Sequence, residues 1–257
     1  MACHAALATT ARLDELTGLK SAIKLLIKVH RGFGVKRMYI VLGKNGIFAS
    51  RRQVRRAYIE LGLLKKRSGR RPRTTNSRHE YSRYPNLVQG LVIDRPDQVW
   101  ACDVTYVKIG RQFAYLALVM DVYTRYIVGW GFSWRNDAAL TVGALRMGLA
   151  LERSPEIHHS DQGSTYACPD YIKILTARGI QVSMAEIGEP EQNGYAERLN
   201  RTVKEEEVYL SGYEDFEDAF LGLESFIHRY NNDRIHSSLG YQTPSEVFEK
   251  WTRENAF

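Results

Sequence analysis

The stretch Trp100-Ala-Cys-Asp-Val-Thr-Tyr-Val107 decides the fold. β-branched and aromatic residues dominate it, as in a strand. Alternation puts Ala101, Asp103, Thr105 and Val107 on one face and Trp100, Cys102, Val104 and Tyr106 on the other. A carboxylate in mid-strand is costly unless it is paired, hydrogen-bonded or metal-bound. Asp103 is therefore either an edge-strand residue facing water or part of a site.

Downstream of this strand, Gln112–Met120 and Arg125–Trp134 read as two more, joined by the short loop 121–124. Ala138–Leu151 reads as a helix, Glu156–Ser160 as a strand, Pro169–Arg178 as a helix and Gln181–Ala185 as a strand. A further helix covers about Gly194–Leu210, and Phe216–Tyr230 and Pro244–Trp251 supply two more. Three hairpin-linked strands followed by alternating helices and strands predict a mixed α/β layer fold. This is the element order of a ribonuclease H-like core, with a mixed five-stranded sheet and flanking helices.

Upstream the pattern is helical. Leu16, Leu19, Ile23, Leu26 and Ile27 are spaced for a helix over 13–29, which residues 30–34 break. A second helix runs from Val35 to Leu42, and a third begins after Ser50, a suitable N-cap. A helix, a glycine-containing turn and a helix carrying Arg51, Arg52, Arg55 and Arg56 read as a helix-turn-helix or as a helical hairpin with a basic surface. Residues 65–83 form a basic, aperiodic stretch that could be a disordered tether or a strap along DNA. The expected division is a helical DNA-binding domain over 1–66, a basic linker over 67–95 and the α/β core over 96–257.

Charge sharpens this division. Residues 1–83 contain 20 Lys/Arg and 4 Asp/Glu, whereas residues 84–257 contain 16 and 25. The first part is built to meet a polyanion, and the second suits the gathering of cations. The longest apolar run is eight residues, Phe113 to Met120, too short for a membrane span of about twenty. The N-terminus makes a poor signal peptide. Cys3, Cys102 and Cys168, odd in number and far apart, fit reduced thiols. A soluble, cytoplasmic protein without membrane partners is expected.

Two more carboxylates join Asp103. Asp161 follows the short strand before Gln-Gly-Ser, at the end of the sheet where α/β folds place their sites, though an Asx turn with Gly163 would also explain it. Glu197 shares a helix face with Arg201 and Lys204, opposite a Tyr195/Leu199/Val203 stripe, and an exposed ion pair would explain it locally. Fifty-seven residues separate Asp103 from Asp161, and 35 separate Asp161 from Glu197.

These residues stand within motifs that resemble the downstream-frame (orfB) transposases of bacterial insertion sequences, whose core is similar to retroviral integrase. Trp100, Asp103, Thr105 and Tyr106 match W-x-x-D-x-T-y. His159, Ser160, Asp161, Gly163, Ser164 and Tyr166 match H-S-D-x-G-S-x-Y. Glu197 and Lys204 match the family's Glu followed seven positions later by a basic residue. Tyr230-Asn231, Arg234, His236 to Tyr241 and Thr243-Pro244 match its C-terminal signature, and His30, Gly34, Lys36 and Arg37 resemble its helix-turn-helix segment. The resemblance covers about residues 30–251. The stretch 191–196 departs from the Asp-Asn-Ala that many relatives place before the Glu, and Phe33 and Val35 depart from the N-terminal pattern.

The resemblance implies a transposase that cleaves and joins DNA by metal-dependent phosphoryl transfer. Asp103, Asp161 and Glu197 would hold two Mg²⁺ ions, replaceable by Mn²⁺, with Asp103 shared between them. Double-stranded DNA would be the partner, contacted by Lys204 and Arg201 near the cut and by Arg51, Arg52, Arg55 and Arg56 in the first domain. A homo-oligomer on DNA, association with the nucleoid and fusion to an upstream-frame product are further implications. The rivals are a non-enzymatic DNA-binding regulator and a plain ribonuclease H-like hydrolase. Other polar residues are set aside: adjacent His158 and His159 point to opposite faces, Asp121 reads as turn chemistry, and Glu186, Glu189 and Glu191 lie in a loop. Ser160 and Ser164 lack the surroundings of a serine nucleophile. Glu205–Glu207 either repel DNA or lie off its path.

Overall fold

The computed structural model describes residues 2–64, 81–186 and 188–255, without side chains for 2–15 and 190. It divides into two compact units, 1–72 and 73–257. Residues 65–80, the heart of the basic stretch, lie outside the described part.

In the first unit three helices share a small core. Helix α1 (Ala2–Val29) starts earlier than the apolar spacing predicted and is followed by α2 (Val35–Lys44) and α3 (Arg51–Glu60). Leu19 and Ile23, Met38 and Leu42, and Val54, Ala57 and Tyr58 are buried. Ser50 caps α3: its hydroxyl accepts from the Gln53 amide at 3.2 Å, and the Gln53 side chain accepts from the Ser50 amide at 2.7 Å. With Val54, Ala57 and Tyr58 turned inward, Arg51, Arg52, Arg55 and Arg56 all face outward.

The second unit is built on five strands: β1 (Val99–Ile109), β2 (Gln112–Asp121), β3 (Ile127–Ser133), β4 (Ile157–Ser160) and β5 (Gln181–Met184). Their order is β3-β2-β1-β4-β5. The first three pair antiparallel, and β4 and β5 join parallel. Between and after them run α4 (Ala138–Leu149), α5 (Ser164–Ala167), α6 (Pro169–Thr176), α7 (Gly194–Val203), α8 (Tyr209–Ser211), α9 (Phe216–Asn232) and α10 (Pro244–Asn255).

The sheet separates two apolar layers. Trp100, Cys102 and Val119 pack with Leu145 of α4 and Tyr171 and Leu175 of α6. Val107, Leu116 and Leu118 pack with Leu199 and Val203 of α7 and Leu223 and Ile227 of α9. Strand alternation thus divides β1 as its sequence predicts, and Asp103 belongs to the α7 side. Gly129 lets α4 lie directly on β3, because a Cβ there would sit 2.1 Å from the Ala144 carbonyl oxygen. Residues 81–95, part of the expected linker, run along this unit. The Leu87 amide donates to Ser183 Oγ at 2.8 Å, and Leu87, Val88 and Ile93 cover Val99 and Ala101.

Three local features differ from the sequence reading. The helix expected over 194–210 is not continuous: a π-helical turn, Lys204–Val208, separates α7 from α8. Its cause is distant. Buried Glu206 takes a bidentate pair from Arg234 at 2.8 and 3.0 Å, and buried Glu207 accepts from Arg229, Ser211 and Tyr213. Tyr195 is 43 % exposed, and Ala196 rather than Tyr195 starts the buried stripe of α7. Asp121 does make the expected turn bond, to the Thr124 amide at 2.8 Å. It is also fully buried and accepts from the Asp97 amide and from Arg153.

Candidate active site

Asp103 sits mid-way along the central strand. On one side it faces Leu118 of β2. On the other, the parallel register pairs Trp100 with His158 and Ala101 with His159. Two residues further on, that register brings Asp161 level with Asp103, just past the end of β4 and on the same face. One Asp103 oxygen accepts from the Val104 amide and the other from Asn200 Nδ2, each at 2.8 Å. Loss of water and then the charge of Asp161 push the Asp103 carboxyl up to about 8, against those two hydrogen bonds. Asp161 makes its Asx turn, accepting from the Gly163 amide at 2.9 Å.

Glu197 stands on the first turn of α7. Asn200, one turn later, ties the helix to Asp103, and Asn193, just before the helix, donates to the Cys102 carbonyl at 3.0 Å. His159 fixes the approach to α7. Its Nε2 donates to the Gln192 carbonyl at 3.0 Å, so Nδ1 accepts from the Ser183 hydroxyl at 2.8 Å. Buried His158 bonds the Tyr171 hydroxyl at 2.9 Å, and burial pushes its pKa down to about 3, keeping it neutral. Burial also raises the Glu197 carboxyl, while Arg201 pulls it down.

The nine predicted site residues do not share one place. Asp103 and Asp161 are neighbours, and Glu197 lies on the flank of the helix fastened beside them. Among the described residues, no three His, Cys, Asp or Glu side chains form a ready-made metal cage. Arg201 is exposed on the outer arc of α7. Lys204 is buried, with Nζ 3.7 Å from the centre of the Tyr106 ring. The four arginines of α3 belong to the other unit. Sequence reasoning passed over Asn193 and Asn200, although an asparagine on the inner face of α7, one turn after the Glu, was a readable signal.

The donor set suits a hard divalent cation. Two carboxylates lie side by side with a third near them, and one is so poorly compensated that it tends to keep its proton. The buried Oδ1 of Asn200, beside them, has no donor among the described residues. A cation would oppose both the burial and the Asp161 charge that raise the Asp103 pKa.

Comparison with known proteins places these features in a family. Residues 93–190 and 178–244 match two integrase core domain families. The chain is 32 % identical over 219 residues to the transposase for insertion sequence element IS629 of Shigella sonnei, covering 85 % of this chain and 74 % of the relative. It is 31 % identical to the transposase for insertion sequence element IS904 of Lactococcus lactis, covering 91 % and 94 %. A solved simian T-cell lymphotropic virus intasome superimposes with a TM-score of 0.54 at 18 % identity, covering 82 % of this chain and 70 % of that one. That last likeness speaks for the fold alone. With the integrase core matched on both sides of the α7 junction and transposases aligned along most of their length, the chain belongs to the insertion-sequence transposases with an integrase-type catalytic core.

Proposed function

We propose that this transposase cuts and joins DNA through a divalent-cation site made by Asp103, Asp161 and Glu197. The observation that carries this is the under-compensated Asp103 carboxyl at the centre of the sheet, set beside Asp161 and a helix anchored through Asn200. Mg²⁺, or Mn²⁺ in its place, would be held by the three carboxylates, two ions per site. When bound, such ions stabilise the attacking and leaving oxygens of an in-line displacement at phosphorus.

The chain's own groups have separable tasks. Asn200 holds the Asp103 carboxylate in place, and His159 holds the turn before α7. Arg201 presents positive charge to the DNA backbone beside Glu197, and Lys204 could join it only by leaving Tyr106. Water attacks one phosphodiester at the element end, the P–O bond to the leaving oxygen breaks, and a 3′-hydroxyl is freed. That hydroxyl then attacks a target phosphodiester and displaces its own leaving oxygen. No protein nucleophile is required. The outward arginines of α3 supply duplex binding in a helix-turn-helix manner, and assembly into an oligomer on DNA brings ends and target together. Fusion to an upstream-frame product would add end selectivity.

The test is joining of labelled element ends to plasmid, with and without Mg²⁺. Joined product that depends on the ion and disappears in Glu197→Gln is expected. Ion-independent joining, or comparable joining by the variant, contradicts the assignment.

A further inference from the structure

A recess opens on the flank of α7 away from Glu197. It has a volume of about 350 Å³, at the lower end of the range for small-molecule sites, and Arg125, Tyr195, Tyr123, Ser238 and Gln242 line it. Two features separate it from an ordinary surface dent. The Arg125 guanidinium stacks on the Tyr195 ring, 4.3 Å from its centre, yet Tyr195 remains 43 % exposed. Arg125 Nη1 is also buried and finds no acceptor among the described residues. A charged donor left in that condition is costly, and a shift of the side chain that presents it to an oxygen in the recess would relieve that cost. The backbone of Arg125 is held at φ 64°, a left-handed conformation that non-glycine residues seldom adopt.

Its position relates this recess to the carboxylates. Tyr195 lies two residues before Glu197 and about 200° round the helix from it. The exposed arc between them carries Arg198 and Arg201. A DNA strand lying over that basic arc would have the acids at one margin and the Arg125–Tyr195 stack at the other. Aromatic rings and guanidinium planes are the surfaces on which unpaired bases stack, and Ser238 and Gln242 add hydrogen-bonding groups. Paired bases offer no such face.

The geometry points to a pocket for one unpaired nucleotide of the DNA substrate, its base stacked on the Arg125–Tyr195 pair and its oxygens reaching Arg125. This rests on the reading of the chain as a DNA-processing enzyme and adds to it a preference for locally unpaired DNA beside the cut.

The test uses the full chain and three fluorescent probes: a blunt duplex, the same duplex with an unpaired thymidine tail, and the same tail made abasic. Wild type should bind the thymidine-tailed duplex roughly tenfold more tightly than the blunt one, or about 1.4 kcal/mol, as stacking of one base would give. The abasic tail should lose that gain. Tyr195→Ala and Arg125→Gln should bring the tailed-to-blunt ratio close to one, whereas Tyr195→Phe, which keeps the ring, should retain it. Thermal melts of all three variants establish that they fold. The inference is overturned if wild type shows no tail preference, if the abasic tail binds as tightly as the thymidine tail, or if folded Tyr195→Ala keeps the full ratio. A chain that binds and joins DNA without tail preference overturns the pocket alone. One that neither binds blunt duplex nor joins ends overturns the function proposed above as well.

Discussion

Asp103 and Asp121 are both carboxylates on adjacent strands of one sheet, and they are treated oppositely. Asp121 is fully buried, accepts from the amides of Asp97 and Thr124 and pairs with Arg153 at 3.0 Å. Arg153 also pairs with Asp97 at 2.8 Å and lies 4.1 Å from the centre of the Phe248 ring, so the network ties β2 to α10. Asp103 has one amide and one asparagine, and the charge that acts on it most is the like charge of Asp161. Burial raises both carboxyls, but only Asp121 has a cation of its own to oppose the effect. A buried carboxylate with its own arginine is part of the frame. One set against another carboxylate lacks that internal partner, and it is there that the proposed cation would sit.

The contrast breaks first at Arg153. Arg153→Met would leave Asp121 buried without its partner charge, and a loss of about 3–5 kcal/mol is expected in urea unfolding. A loss below about 1 kcal/mol, the worth of an exposed pair, would mean that the network is ornamental. The matching change at the other carboxylate should act on catalysis instead. Asp103→Asn should remain folded and still bind duplex, yet lose more than the roughly 10–100-fold that outer-shell changes cost at metal sites. Strand joining near wild type by this variant would refute its role.

A pH titration without divalent ions sharpens the difference. The Asp103 pKa is raised from 3.8 to about 8 in the folded chain, so the folded state binds the extra proton. The resulting stability is fully present below 3.8 and is lost as pH rises through about 8. Asp103→Asn should remove that decline, so its melting temperature relative to wild type should climb across the window. Parallel curves would show that the two acids are not in conflict. Smaller still is the expected effect in the other unit: Arg55→Ala should reduce the salt slope of duplex binding by about one, with little effect on the fold. An unchanged slope would remove Arg55 from the DNA face.

Much of this was readable in the chain because the signals are local. Period-two alternation in 100–107 assigned the faces of β1, and Ser50 as N-cap placed the start of α3. Asp103, Asp161 and Glu197 could be singled out because their motifs and spacing are linear. What escaped depends on partners far along the chain. The π turn at Lys204–Val208 follows from Glu206 and Glu207 meeting Arg234 and Arg229, 28 and 22 residues away. The full role of Asp121 depends on Arg153, 32 positions on. Tyr195 fell into an expected apolar stripe because periodicity alone does not foresee Arg125 stacking upon it. Lys204, on the helix face of Glu197 in an ideal helix, is drawn over Tyr106 just where α7 gives way to the π turn.

The central claim is that the repulsion at Asp103 is relieved by a divalent ion, and thermal unfolding with and without Mg²⁺ at fixed ionic strength tests it most directly. At ten times the dissociation constant, an ion that binds only the folded chain adds roughly 1.4 kcal/mol, a shift of about 2–4 °C at this length. Wild type should show that rise. Asp103→Asn should melt higher than wild type without the ion, because the wild-type fold must either keep that carboxyl protonated or bear its charge beside Asp161, and should gain little when Mg²⁺ is added. An undiminished Mg²⁺ shift in Asp103→Asn would mean that the ion binds elsewhere and would contradict the account.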